Sequence, residues 1–257
     1  MLPNGEEIAC INPAEALLLY EDIYRDQSYL RGDIRVRDGD IVFDVGANIG
    51  LFTLFATGLA RNLELYVFEP IPAIFEVLRA NLNARGIRAQ LFQCGIAARS
   101  CVEQFAFYER NSAMSGKYWN RAEERHTART ILLNKHPELA EFLEEILETA
   151  FEPIVVDCPL RTLSEIIAER SVPRIDLLKI DVEKSEYDVL CGIEESHWDL
   201  IRQVAMEVHD IDGRICAVNQ LLVGHGFRTT TVQGRYFKDT GLYDIFARRA
   251  NDQASPG

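Results

Sequence analysis

Residues 42–50 read Val-Phe-Asp-Val-Gly-Ala-Asn-Ile-Gly, an apolar run that ends in a glycine-rich turn. The turn leads into Leu51-Phe-Thr-Leu-Phe-Ala-Thr, which has the composition of a buried helix. A strand, a glycine turn and a helix in this order direct backbone N–H groups and the positive helix end towards a bound group. In an open α/β sheet such a turn borders the ligand crevice. The candidate ligand-binding residues of the turn are Asp44, Gly46, Asn48 and Gly50.

Strand and helix patterns alternate outward from this turn. The further predicted strands are 65–69, 89–94, 175–180, 201–208, 228–232 and 243–247. Helical patterns separate most of them, and the last two strands are close enough together to form a hairpin. Strands spaced by helices predict a doubly wound, mostly parallel α/β sheet with one antiparallel strand at an edge.

We expect one domain with five parts. These are a helical N-terminal segment (1–37), a cofactor-binding half (41–100), a lid insertion with two short strands (101–159), a second half (160–249) and a disordered tail (250–257). The insertion breaks the strand–helix rhythm, and loops of this length in a compact domain are usually lids or binding loops.

The composition excludes several classes of protein. A net charge of −13 argues against nucleic-acid and anionic-membrane partners. No apolar run approaches the roughly 18 residues that cross a bilayer, and the first ten residues lack the pattern of a secretory signal. The six cysteines are scattered without a C-x-x-C pair, which favours the reducing cytoplasm.

The spacing of the turn glycines indicates the kind of ligand. Gly46 and Gly50 form G-x-x-x-G, whereas a dinucleotide pyrophosphate is better served by G-x-G-x-x-G. The turn offers room for an uncharged or cationic group beside Asp44, such as a sulfonium. Glu69 closes the second strand, where a carboxylate can accept hydrogen bonds from both ribose hydroxyls. Cofactor contacts are also expected from Pro70, Gly95 and Ile96, which follow the second and third strands, and from Asp181 at the end of a later strand.

Four ionisable residues fall at the ends of two later strands. Lys179 and Asp181 are two residues apart, as are Glu207 and His209, so each pair shares a strand face. Lys179 and Glu207 either form an ion pair with each other or both take part in catalysis, and the sequence leaves these two alternatives equally open. We expect a neutral His209 to act as the general base, oriented by Asp181 or Glu207. No metal ion is expected, because Lys179 already supplies a positive charge.

The insertion has an uneven charge. Five basic residues lie between Lys117 and Lys135, and six glutamates lie between 137 and 152. The two segments form either a solvated helix pair or a docking patch for an acidic partner.

At these residues the chain resembles the FkbM family of methyltransferases. The resemblance rests on Val42 to Thr53, Val67-Phe-Glu-Pro, Leu178-Lys-Ile-Asp-Val-Glu, Met206-Glu-Val-His and Gly226-Phe. It implies S-adenosylmethionine as cofactor, a seven-stranded Rossmann-like sheet and a hydroxyl acceptor.

Within that family the chain is similar to the O-methyltransferase domains of polyketide synthase and hybrid peptide synthetase assembly lines. That branch implies a β-hydroxy or enol oxygen on an acyl chain, with an acyl carrier protein and neighbouring assembly-line domains as partners. It also places a lid at Met114 to Tyr118, with Met114 and Tyr118 as candidate substrate residues.

Three other functions stay open on the sequence. A sugar or another free small molecule is the alternative hydroxyl acceptor. A nicotinamide-dependent oxidoreductase is the alternative enzyme class, and a non-catalytic docking module is the alternative outside enzymes.

Overall fold

The computed structural model describes residues 1–250. Its strands are β1 (Ile41–Val45), β2 (Glu64–Phe68), β3 (Gln90–Phe92), β4 (Gly95–Ile96), β5 (Cys101–Phe107), β6 (Ile154–Arg161), β7 (Leu177–Ile180), β8 (Gln203–His209), β9 (Phe227–Val232) and β10 (Leu242–Arg249). Its α-helices are α1 (Pro13–Tyr20), α2 (Leu51–Leu59), α3 (Pro72–Ala84), α4 (Arg121–Lys135), α5 (Leu143–Glu148), α6 (Leu163–Arg170), α7 (Glu186–Cys191), α8 (Glu195–Trp198) and α9 (Arg214–Gly224). The predicted disorder of 250–257 falls on residues that, from 251 onward, lie outside the described part of the chain.

Seven strands form the main sheet, in the order β3-β2-β1-β7-β8-β10-β9. All neighbours are parallel except β10, which pairs antiparallel with both β8 and β9. The chain order reverses between β1 and β7, so the crevice of this sheet opens at the carboxyl ends of those two strands. The predicted doubly wound, mostly parallel seven-stranded sheet is confirmed. The antiparallel strand was expected at an edge, but β10 lies between β8 and the edge strand β9, which runs in the same direction as the parallel strands.

The core lies on both faces of the sheet because successive strand side chains point to opposite sides. Val42 faces one helix layer, in which α2 and α3 contribute Phe52 and Leu78. Phe43 faces the other layer, in which α6 and α9 contribute Ile166 and Leu222. Both faces of β1 are therefore apolar and buried, which explains its unbroken hydrophobic run.

The insertion forms its own small layer. β6 pairs with β4 and β5 in a separate three-stranded sheet, so β5 and β6 occupy the positions of the two predicted short strands. The helices α4 and α5 pack above it around Tyr108 and Phe151, whose rings meet edge to face at 5.3 Å.

The basic residues of α4 are paired within the insertion. Arg125 and Arg129 both contact Glu144, at 2.5 and 3.1 Å, and Arg121 contacts Glu152 at 2.6 Å. Of the two sequence alternatives, the contacts are those of a solvated helix pair.

The N-terminal segment crosses the carboxyl edge of the sheet. After α1, a π-helical turn (Glu21–Arg25) and a 3₁₀ turn (Ser28–Leu30) carry Tyr29 into the core beside Phe52. Among the helices within residues 1–250, none is both long and apolar enough to cross a membrane.

Candidate active site

A crevice of about 710 Å³ opens where the strand order reverses. Seven of the predicted cofactor-binding residues line it: Gly46, Asn48, Glu69, Pro70, Gly95, Ile96 and Asp181. Because they follow β1, β2, β3 and β7, the sheet itself places them together.

The two turn glycines are required for different reasons. Gly46 has φ +79°, and a Cβ added there would lie 1.7 Å from the carbonyl oxygen of Asp181. Gly50 caps α2 with φ +90°, and a Cβ there would lie 2.7 Å from Leu78. Gly46 therefore lets two backbone segments meet at the crevice. Gly50 lies outside the crevice lining and shapes the turn from beneath, so its predicted cofactor contact was wrong.

Asp44 is buried beneath the crevice and does not line it. Its carboxylate lies 3.1 Å from Lys179 Nζ and accepts a hydrogen bond from the Thr53 hydroxyl at 2.6 Å. Lys179 also donates to the Gly46 carbonyl at 2.7 Å. The predicted space beside Asp44 for a cationic group is thus filled by Lys179. The predicted Lys179–Glu207 ion pair was also wrong, because the register of β1 and β7 places Lys179 opposite Asp44.

Glu69 presents its carboxylate to the crevice from the end of β2. It accepts hydrogen bonds from the N–H groups of Asn48 at 3.1 Å and Ile71 at 3.0 Å. Burial raises the pKa of Glu69 to about 7, and these N–H groups oppose that rise. Each oxygen keeps a lone pair, so the carboxylate can accept the two ribose hydroxyls of a nucleoside.

The insertion supplies crevice residues that sequence reasoning missed. Ser112, Ala113 and Lys117 line the crevice. Ser112 donates to Glu15 at 2.8 Å, and Glu15 also accepts the N–H of Ala113 at 2.6 Å. No local signal marks this contact, because Glu15 precedes Ser112 by 97 residues.

The two predicted lid residues lie beside the crevice without lining it. Met114 packs against the small core of the insertion. Tyr118 is 48% exposed, and its hydroxyl donates to Asp188 at 2.9 Å. Lys117, next to Tyr118, contacts the same Asp188 carboxylate at 2.7 Å. The lid is thereby attached to α7.

His209 ends β8 with its imidazole between two carboxylates. Nδ1 lies 3.1 Å from Glu186, and Nε2 lies 3.3 Å from Glu183, which itself lines the crevice. These are not the predicted orienting groups, Asp181 and Glu207. Glu183 lies in the loop after β7 and Glu186 is the first residue of α7, and between them Glu183 and Lys184 adopt left-handed φ values of 47° and 70°. That tight turn directs both acids towards one ring, which strand periodicity alone does not reveal.

The charge of His209 also differs from the prediction. Burial alone would lower the pKa of its imidazole, but Glu183 and Glu186 outweigh burial and hold that pKa well above the usual value. The raised pKa favours the protonated imidazole, whereas the sequence led us to expect the neutral form.

Glu207 lies among carboxylates. Asp181, Glu183 and Glu207 have ligand oxygens within 4.8 Å of one another, a spacing that a hard cation such as Mg²⁺ could bridge. Burial, together with the Asp181 and Glu183 carboxylates, raises the pKa of Glu207 well above its usual value. Tyr29 donates to Asp181 at 2.7 Å. Lys179 Nζ lies 3.1 Å from Asp44 and 3.9 Å from Asp181, so its charge is shared between the turn and this cluster, and the absence of a metal ion stays a prediction.

Comparison with known proteins agrees with this geometry. Residues 44–229 match the family described as Methyltransferase FkbM domain. The 31-O-demethyl-FK506 methyltransferase FkbM of Streptomyces tacrolimicus is 40% identical over 96% of this chain and 95% of its own length. The AMB antimetabolite synthetase AmbE of Pseudomonas aeruginosa is 35% identical over 96% of this chain, which spans 12% of AmbE. Methyltransferase 1 of Beauveria bassiana is 30% identical over 93% of each chain.

The family match includes the glycine turn, Glu69 and the loop that holds His209. The alternative of a nicotinamide-dependent oxidoreductase is therefore wrong. With the Glu69 carboxylate in a crevice at the switch point of the sheet, the chain belongs to the FkbM family of methyltransferases and uses S-adenosylmethionine as its methyl donor.

Proposed function

We propose that the protein methylates a hydroxyl oxygen of a natural-product intermediate, with His209 as the general base. One observation carries the proposal. Glu183 lines the cofactor crevice and also lies 3.3 Å from His209 Nε2, so a base stands directly behind the wall of the crevice.

When bound, S-adenosylmethionine supplies an electrophilic methyl group and leaves as a neutral thioether. The chain has to bring the acceptor oxygen into line with that methyl group and remove its proton. When the imidazole is neutral and carries its proton on Nδ1, an acceptor hydroxyl that takes the place of Glu183 at Nε2 donates its proton to that nitrogen. Glu186 keeps the ring oriented through Nδ1 and stabilises the imidazolium.

The remaining predicted catalytic residues receive separate roles. Lys179 neutralises Asp44 and holds the Gly46 carbonyl, so we assign it to the support of the turn. Asp181 lines the crevice at the point nearest Glu207, and these two carboxylates border the path between cofactor and acceptor.

Two observations bear on how the acceptor arrives. The similarity to AmbE, a synthetase of which this chain spans 12%, favours an acyl chain carried by an acyl carrier protein within an assembly line. The similarity to a methyltransferase named for 31-O-demethyl-FK506 along 95% of its length favours a free hydroxylated molecule. We retain the carrier-bound β-hydroxy or enol acceptor as the proposal and the free molecule as the second candidate. The six unpaired cysteines suit a reaction in the cytoplasm.

The test offers both acceptors side by side. A carrier-bound β-hydroxyacyl chain and free 31-O-demethyl-FK506 are each incubated with S-adenosylmethionine and analysed by mass spectrometry. We expect a gain of one methyl group on the carrier-bound chain. A gain on the free molecule alone assigns the second candidate, and no gain on any hydroxyl contradicts O-methylation.

The base is tested in the same assay. His209→Gln should lower kcat by roughly 10²- to 10⁴-fold, the usual contribution of general-base catalysis. His225→Gln is the matched control, because His225 stacks on Trp198 at 4.1 Å, at the end of α9 and away from the crevice lining. Equal rates for the wild type and His209→Gln would overturn the assignment of the base.

A further inference from the structure

Within residues 1–250, Lys117 is the only residue of the cofactor crevice that has a cationic side chain. The other charged residues of the lining, Glu69, Asp181 and Glu183, are acids. S-adenosylmethionine carries a sulfonium, an ammonium and a carboxylate group. The acids suit the two cationic groups and repel the carboxylate, which binds best to a cation or to strong hydrogen-bond donors. The charges in the crevice therefore favour a carboxylate beside Lys117.

The strand order gives the cofactor a direction in the crevice. On the β3 side of Glu69 the lining is apolar: a Cβ added at Gly95 would lie 2.6 Å from Leu160 and 3.7 Å from Phe105. That end suits the uncharged base of the nucleoside. On the other side of β2 lie β1 and β7, and the loop after β7 begins with Asp181. Since β2 and β7 are two strand spacings apart, roughly 10 Å, an extended methionine part that starts from a ribose at Glu69 reaches that loop.

Lys117 lies at the same loop because the insertion packs directly on it. A Cβ added at Gly116 would lie 3.0 Å from the Cβ of Glu183. Lys117 Nζ lies 2.7 Å from Asp188 and 4.6 Å from the centroid of the Tyr118 ring, and its side chain is 8% exposed. Burial lowers the pKa of Lys117, but Asp188 outweighs burial and raises it, so the amine stays charged. An ammonium group has three N–H donors, and Lys117 can therefore bind a second carboxylate besides Asp188.

A buried hydroxyl on this loop is a second donor. Ser185 lines the crevice and is 6% exposed, and its Oγ has no hydrogen-bond partner within the described residues. Ser185 precedes Asp188 by three residues, so the two side chains lie on one side of α7. A buried hydroxyl without a partner is costly unless a ligand completes its hydrogen bond. A carboxylate between Lys117 and Ser185 accepts from both.

We infer that Lys117 and Ser185 bind the carboxylate of the methionine part of S-adenosylmethionine, and that Asp188 positions Lys117 for this contact. The insertion is then a part of the cofactor site. The inference goes beyond the proposed function, because it concerns cofactor binding and holds whichever atom of the acceptor is methylated.

Binding is tested without turnover. The intact protein is titrated calorimetrically with S-adenosylhomocysteine and with its decarboxylated analogue, in which hydrogen replaces the carboxylate. We expect the wild type to bind S-adenosylhomocysteine about tenfold to a hundredfold more tightly than the analogue, the usual gain from hydrogen bonds to a charged group. Equal affinity for the two ligands, or tighter binding of the analogue, would overturn the inference.

Variants of Lys117 locate the carboxylate. Lys117→Met should bind S-adenosylhomocysteine about as weakly as the wild type binds the analogue. Its affinity for the analogue should be unchanged, which also shows that it folds. Lys135→Met is the matched control, because Lys135 belongs to the same insertion, has a side chain 12% exposed and pairs with Glu21 at 2.9 Å outside the crevice lining. If Lys117→Met weakens both ligands equally, or neither, Lys117 does not contact the carboxylate.

Ser185 is tested in the same titrations. Ser185→Ala should weaken the binding of S-adenosylhomocysteine about fivefold, the loss of one hydrogen bond, and leave the affinity for the analogue unchanged. A wild-type preference between the two ligands in Ser185→Ala would exclude Ser185 from the contact. A protein that prefers S-adenosylhomocysteine through Lys117 but methylates no hydroxyl contradicts the proposed function and keeps the inference.

Discussion

The cofactor crevice and the acceptor side next to it are built differently. Beneath the crevice, Asp44 and Lys179 neutralise each other, and backbone N–H groups donate to Glu69 at its wall. On the acceptor side, His209 lies between Glu183 and Glu186, and Asp181, Glu183 and Glu207 have ligand oxygens within 4.8 Å of one another. Charges around the crevice are therefore paired within the protein, whereas the acceptor side gathers carboxylates around one imidazole.

The difference reflects two tasks. Every methyltransferase that uses this cofactor binds the same molecule, so a fixed cradle suits it, and preorganisation reduces the cost of binding. The acceptor side has to hold a reacting hydroxyl and accept its proton, and the carboxylates there raise the pKa of His209 above its usual value. The predictions below separate these two halves.

The largest effect is expected at Gly46. An alanine Cβ there would collide with the Asp181 carbonyl oxygen at 1.7 Å, and the φ of +79° is unfavourable for alanine. Gly46→Ala should lose measurable binding of S-adenosylhomocysteine in calorimetry. Gly58→Ala, in α2 with no atom within 4 Å of its Cβ, is the control and should leave binding intact. Wild-type affinity in Gly46→Ala would show that the two loops do not form the cradle.

The next effect is on stability beneath the crevice. Burial would lower the pKa of Lys179, but Asp44 and Asp181 outweigh burial and raise it. Lys179→Met leaves Asp44 as an unpaired buried charge, which should lower the free energy of unfolding by about 3–5 kcal/mol in urea titrations. The double variant Lys179→Met/Asp44→Asn should recover part of that loss. A single variant as stable as the wild type would mean that the pair contributes nothing.

A smaller effect, on the acceptor side, is a change in pH dependence. Because the pKa of His209 is raised, the neutral base forms only as the pH rises through that pKa, and the wild-type rate should increase above pH 7. Glu186→Gln removes one carboxylate and should move this rise to lower pH. The charged imidazole also stabilises the fold below its usual pKa of 6.5, and that stabilisation is lost as the pH rises through the raised value. If Glu186→Gln keeps the pH–rate profile of the wild type, Glu186 is not the residue that positions His209.

The smallest effect concerns the surface of the insertion. Arg125→Ala should lower stability by less than about 1 kcal/mol, since its partner Glu144 is exposed. Because Arg125 and Arg129 are already paired with a neighbouring glutamate, Arg125→Ala and Arg129→Ala should each keep the KM for a carrier-bound acceptor within roughly twofold of the wild-type value. A KM that rises tenfold in both variants, with an unchanged KM for a free acceptor, would restore α4 as the carrier-docking surface.

The sequence predicted the crevice better than the acceptor side for a physical reason. Gly46, Glu69 and Asp181 each follow a strand, and parallel strands bring such residues to one edge whatever the rest of the chain does. Which side chains pair with one another depends on strand register and on the shape of the loops. The register of β1 and β7 places Lys179 opposite Asp44. The left-handed turn at Glu183 brings two carboxylates from outside β8 to His209. The contacts of Glu15 with Ser112 and of Tyr29 with Asp181 join segments far apart in the chain, and no local pattern marks them.

The most direct measurement is the affinity for S-adenosylhomocysteine of the wild type and Glu69→Gln, titrated calorimetrically at pH 6 and pH 8. Because the pKa of Glu69 is about 7, the wild type should bind more weakly at pH 6, where the carboxyl group is protonated. Glu69→Gln should bind about tenfold to a hundredfold more weakly than the wild type at pH 8 and lose this pH dependence, whereas Glu76→Gln on α3 should not. Equal affinity of Glu69→Gln and the wild type at both pH values would contradict the central claim that the Glu69 carboxylate binds the cofactor.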